Sequence, residues 1–97
     1  MTTTALPLDR RIELVSDTLV NSFRFHASGK VAATIGMKDG PLAAPLFDYR
    51  VVSQDSIEIV GLDGRIESWT GIRIEGDLLH VERDGQWAVF TIGKTAP

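Results

Sequence analysis

Cysteine is missing from the 97-residue chain, and with it go disulfides, thiolate nucleophiles and sulfur-ligated zinc. Stability must come from the core. Histidine is scarce, with two residues, and positive charge is in the minority: 10 Lys and Arg face 13 Asp and Glu, a net charge of −3. Binding along a phosphate backbone needs a basic patch, so nucleic acid is not an expected partner, even with Arg10, Arg11 and Arg24 available for a local basic surface. Gly-x-Gly phosphate loops, internal repeats and low-complexity blocks are also lacking. No apolar run approaches the roughly 20 residues of a spanning helix. The first seven residues show no basic region leading into an apolar stretch, as a secretory signal would. The expectation is a cytoplasmic protein with no membrane partner.

What the chain does have is alternation. In Phe47-Asp48-Tyr49-Arg50-Val51 the odd positions are apolar and the even ones charged, the period that sends one set of strand side chains inward and the other to water. Ile57-Glu58-Ile59, Ile72-Arg73-Ile74-Glu75 and Leu79-His80-Val81-Glu82 repeat it, and Ala88–Ile92 is apolar on both faces. Between these runs stand Gln54-Asp55-Ser56, Asp63-Gly64, Gly76-Asp77 and Asp84-Gly85. Such sequences make tight hairpin turns, so successive strands are neighbours. A helix there would have to absorb a glycine about every ten residues at about 1 kcal/mol each.

Upstream, Leu19, Phe23 and Phe25 share a parity, Ala27-Ser28-Gly29 turns, and Val31, Ala33 and Ile35 return, which predicts a first hairpin. Residues 8–15 carry apolar side chains at Leu8, Ile12 and Val15, the spacing of one helical face. Ile12 and Leu14 also alternate with Arg11 and Glu13, and between helix and strand the spacing favours a short helix. Residues 36–45, with two prolines and two glycines, are the longest stretch expected to be irregular, either a connector or a binding loop. Residues 1–7 read as an unstructured lead-in and 94–97 as a tail.

Two tryptophans break the pattern. If Ile72 and Ile74 point inward, Trp69 does not, unless a bulge at Gly71 resets the register and brings both Trp69 and Ile72 into the core. Trp87 likewise has the opposite parity to Ala88, Phe90 and Ile92.

Taken together, residues 1–97 read as one all-β domain, an up-and-down antiparallel meander of about seven strands curling into a small barrel or half-barrel. The organisation of residues 18–92, with runs such as Phe23-Arg24-Phe25-His26-Ala27-Ser28-Gly29-Lys30 and Ile72–Val81, resembles small lipocalin-like (calycin-type) barrel proteins. That resemblance implies a pocket for an apolar ligand inside the barrel.

The chemistry-bearing residues fit a solvated face better than an active site. A metal or general-base role for His26 and His80 needs them close together or beside Glu58 or Glu82, yet both read as outward-facing. Asp48, Glu58, Glu67, Glu75 and Glu82 could supply the carboxylate pair of a glycosidase. Alternating strand charges are, however, the usual polar face of an antiparallel sheet, with Arg50, Arg73 and Arg83 as cross-strand partners. Ser22, Ser28 and Ser68 have no triad context. No catalytic residue, metal ligand or cofactor is therefore assigned.

Binding is the stronger theme. Aromatics and arginine dominate binding hot spots, which makes Trp69, Trp87, Tyr49, Arg73, Glu67 and Glu75 the candidate binding residues, with core packing as the rival role for the tryptophans. The leading expectation is a non-enzymatic, stoichiometric protein-binding inhibitor of immunity-protein type, its acidic side chains steering it onto a toxin or enzyme with a basic active site. The alternative is a lipocalin-like binder of a small apolar ligand, using space left by Ala32, Ala33, Ala43, Ala44 and Ala88. An enzyme is the third reading. An open sheet would also allow a homodimer through its edge.

Overall fold

A computed structural model describes residues 6–93, so the expected tail at 94–97 and the first five residues of the expected lead-in lie outside it. Among the described residues there are nine strands and no helix. They are β1 (Arg11–Leu14), β2 (Leu19–Phe25), β3 (Lys30–Met37), β4 (Leu42–Ala43), β5 (Leu46–Ser53), β6 (Ser56–Val60), β7 (Ile66–Glu75), β8 (Leu78–Arg83) and β9 (Gln86–Ile92). Successive strands pair antiparallel, except that β3 pairs with β5 past β4, and β9 returns to pair with β1, Ile12 opposite Ile92 and Leu14 opposite Phe90. Eight strands thus close a barrel, and the short β4 is added beside β3.

Two expectations are corrected here. The helix over 8–15 does not form: residues 11–14 are β1, hydrogen-bonded between β2 and β9. Its alternation wins over the helical spacing because the strand fills the last gap in the barrel and satisfies two sheet edges at once. The stretch 36–45 is also less irregular than expected, since Gly36 lies in β3 opposite Leu42 of β4.

The predicted bulge is present. Gly71 has φ +63°, a left-handed conformation open to glycine, and the β7–β8 register shifts between Thr70 and Arg73. Trp69 is consequently 0% exposed and Ile72 4%. Trp69 lies at the centre of an aromatic cluster, stacked on Phe90 at 5.2 Å and edge-on to Phe23 at 5.2 Å and Phe25 at 5.6 Å. Ile12, Val31, Ile57, Leu79 and Val81 pack around it. Trp87 points away, 68% exposed.

The two ends of the barrel differ. At the end of the 26–29 turn, Leu6 is buried in the core, Leu8 bridges to Phe25, and the Asp9 amide donates to the Phe25 carbonyl at 2.7 Å. Tyr49 packs edge-on to Phe25 and donates its hydroxyl to the His26 carbonyl at 2.7 Å, while Asp9 pairs with His26 Nδ1 at 3.0 Å. The segment leading into β1 therefore plugs this end. The opposite end carries the longer loops, 38–45 and 61–65, and stays open.

Candidate functional site

The open end is shaped by side chains of inward parity, most of them near the strand termini, with Phe23 deeper in the barrel. Phe23 (β2), Ile35 (β3), Phe47 (β5) and Ile59 (β6), with Pro45 from the preceding loop, line a cleft of about 460 Å³. Its rim is the 61–65 turn, where Leu62 is 81% exposed and Asp63 and Arg65 stand beside it. The volume lies within the range of small-molecule sites, about 300–1,000 Å³.

Two charged residues complete the cleft. Glu67 shares its face of β7 with Trp69, and Arg83 shares its face of β8 with Leu79 and Val81, so both point into the barrel. Arg83 Nη2 donates to Glu67 Oε1 at 2.9 Å, and Trp69 Nε1 donates to Glu67 Oε2 at 2.8 Å. The Arg83 side chain is 19% exposed and that of Glu67 32%. The guanidinium carbon lies 5.3 Å from the Trp69 ring centroid, 5.5 Å from Phe23 and 5.6 Å from Phe90. The negative faces of these rings attract the cation. Arg83 Nε is buried without a hydrogen-bond partner among the described residues. The pair therefore caps the aromatic cluster and forms a polar patch in an otherwise apolar cleft. A second, more polar cleft of about 810 Å³ also touches Glu67 and Arg83 and runs over Leu14, Val15, Leu19 and Trp87, so the pair lies between the two.

The six candidate binding residues separate into three places. Glu67 and Trp69 belong to the interior pair and cluster just described. Tyr49 is at the plugged end, where burial first and the Asp9 charge second push its phenol pKa above 10.0. Trp87, Arg73 and Glu75 are on the outer face: Trp87 and Arg73 border a groove of about 370 Å³ with His80 and Gly71, and Glu75 lies 3.6 Å from Arg73 and 3.9 Å from His80.

Glu67 and Arg83, expected on the polar face, face inward, because each shares a strand face with core residues. Arg83 joins the candidate site beyond the six expected residues, and its shared parity with Leu79 and Val81 is the signal for it in the sequence. Of the expected cross-strand pairs, Arg50 meets Glu58 at 2.6 Å and Arg83 meets Glu67, whereas Arg73 lies beside Glu75 of its own strand. Nor do the alanines outline the cavity. Ala33 is packed in the core, Ala32, Ala43 and Ala44 are exposed, and Ala88 borders other clefts. His26 and His80 lie on different parts of the surface, and among the described residues no cluster of three His, Asp or Glu could hold a metal. No described helix is long and apolar enough to cross a membrane.

Fold and site define a class: a closed, eight-stranded antiparallel meander barrel, plugged at one end and open at the other, an organisation compatible with lipocalin-like barrels. No family model matches the chain, and no curated protein or solved structure matches it significantly.

Proposed function

We propose that this protein is a non-enzymatic, lipocalin-like binder of a small apolar ligand, held in the cleft at the open end. The observation that carries this reading is the apolar wall of Phe23, Ile35, Pro45, Phe47 and Ile59 around about 460 Å³ of space, inside a barrel whose other end is plugged. A small barrel normally fills its interior with its own side chains; here the filling stops at Arg83 and Glu67. The test is titration with an uncharged apolar fluorophore such as phenylnaphthylamine. One site per chain is expected, lost in a Phe47→Arg variant that keeps its circular dichroism. A wild-type chain that leaves the fluorophore in water sinks the reading.

A second reading, the protein-binding inhibitor of immunity-protein type, is favoured by Trp87. A tryptophan 68% exposed beside Arg73 and His80 has the composition of an interface hot spot. Affinity capture from the native host, run in parallel with Trp87→Ala, tests it: a toxin or enzyme retained by the wild type and lost by the variant supports it. Retention by both, or by neither, counts against it.

A further inference from the structure

The charges around the open cleft are balanced. Its charged lining consists of Arg83 and Glu67 within it and Arg65 and Asp63 at its rim, two cations against two anions. Within the cleft the balance is tight, because the Arg83 guanidinium is already paired with Glu67 at 2.9 Å. A carboxylate arriving at Arg83 would come up against the carboxylate of Glu67, and an ammonium arriving at Glu67 would come up against the guanidinium. Either ion would leave water without a free countercharge, which is the expensive case for burial.

An uncharged group that both donates and accepts meets no such obstacle. The guanidinium has five N–H donors, and a carboxylate has about four acceptor positions. Glu67 Oε1 receives from Arg83 and Oε2 from Trp69, which leaves acceptor capacity on both oxygens. A hydroxyl or primary amide can accept from Arg83 and donate to Glu67 while its hydrocarbon lies along Ile35, Phe47 and Ile59.

Resting on the ligand-binding reading above, we infer that the ligand is an uncharged amphiphile, an apolar body ending in a hydroxyl or amide, and that the paired Glu67 and Arg83 select against charged analogues of the same length. The selection is electrostatic, so removing one charge of the pair should reassign it rather than abolish binding.

The experiment is displacement of phenylnaphthylamine from the full chain at neutral pH by decanol, decanamide, decanoate and decyltrimethylammonium. In the wild type, decanol and decanamide should bind about tenfold or more tighter than either ion, the scale of a charge left unpaired. Glu67→Gln keeps the shape and frees the Arg83 charge, so decanoate should gain by more than the wild-type gap, about a hundredfold, and overtake decanol. Arg83→Gln should shift preference toward the ammonium. If the fluorophore binds but wild type takes decanoate as tightly as decanol, or Glu67→Gln leaves the order unchanged, the inference is wrong and the cleft stands. If the fluorophore does not bind at all, both fall.

Discussion

Replacing Gly71 by alanine isolates the device that lets one strand bury both Trp69 and Ile72. Three effects compete. At φ +63° an L-residue sits in the left-handed region at a cost of about 1–2 kcal/mol. Alanine also restricts the unfolded chain, which offsets part of this, at most about 0.4–1 kcal/mol, without cancelling it at a positive φ. The new Cβ would lie 3.4 Å from the Trp87 ring, ordinary contact with a side chain that is mostly exposed and free to turn, so steric clash adds little. The backbone term wins, and the net loss should be about 1 kcal/mol, or roughly 4–8 °C in Tm for a domain of this size. Urea unfolding of Gly71→Ala in a Trp87→Phe background measures it, because Trp69 is then the sole tryptophan reporter. Its emission should stay that of a buried indole while the midpoint falls at unchanged m. A variant as stable as its parent would refute the reasoning, since the left-handed bulge would then not be what reconciles the two parities.

Trp69→Phe should destabilise more, by about 2 kcal/mol, through a small cavity and loss of the hydrogen bond to Glu67; a loss below half that in urea unfolding would show the cluster repacks freely. Tyr49 is the chain's only tyrosine, so phenolate absorbance reports it alone. With its folded pKa raised above 10.0 by burial and by Asp9, the stability linked to the neutral phenol is fully present below the unfolded pKa. It declines as pH rises through the folded value. Tyr49→Phe should lose about 1 kcal/mol at neutral pH, from the bond to His26, and should remove this phenol's share of the alkaline decline. A wild-type phenol titrating at or below 10.0 would contradict the argument. Asp48→Asn, which breaks the exposed pair with Lys30, should change stability by under about 1 kcal/mol, and a larger shift in the urea midpoint would mean that the pair is not simply solvated.

Most of the barrel was legible because antiparallel strands with one wet face write their period into the chain. Phe47–Val51 and Ile57–Ile59 show it directly, and even the bulge could be placed, since Trp69 and Ile72 can share a face only if one residue between them is extra. What escaped was non-local. Residues 8–15 look equally well like two helical turns, and only the gap between β2 and β9 makes Arg11–Leu14 a strand. Glu67 and Arg83 escaped for a related reason. Charged residues in alternating runs are normally outside, and recognising these two as interior required knowing that β7 and β8 bring them to within 2.9 Å over an aromatic floor. The cleft is a property of several strand ends meeting, which no single run of sequence contains.

The seam between β1 and β9 has a kinetic consequence. Arg10 Nε donates to the Gly93 carbonyl across 83 positions of sequence, and the Gly93 amide donates to the Arg11 carbonyl at 2.7 Å. The ring of strands therefore cannot shut until the final hairpin has formed. All-β barrels fold on the order of milliseconds to seconds, and in this meander the seam is the pairing that spans nearly the whole sequence. Fusing the residues at this seam through a short linker and reopening the chain in the 61–65 turn would convert the slowest encounter into a local one, and the permuted protein should fold faster than its parent.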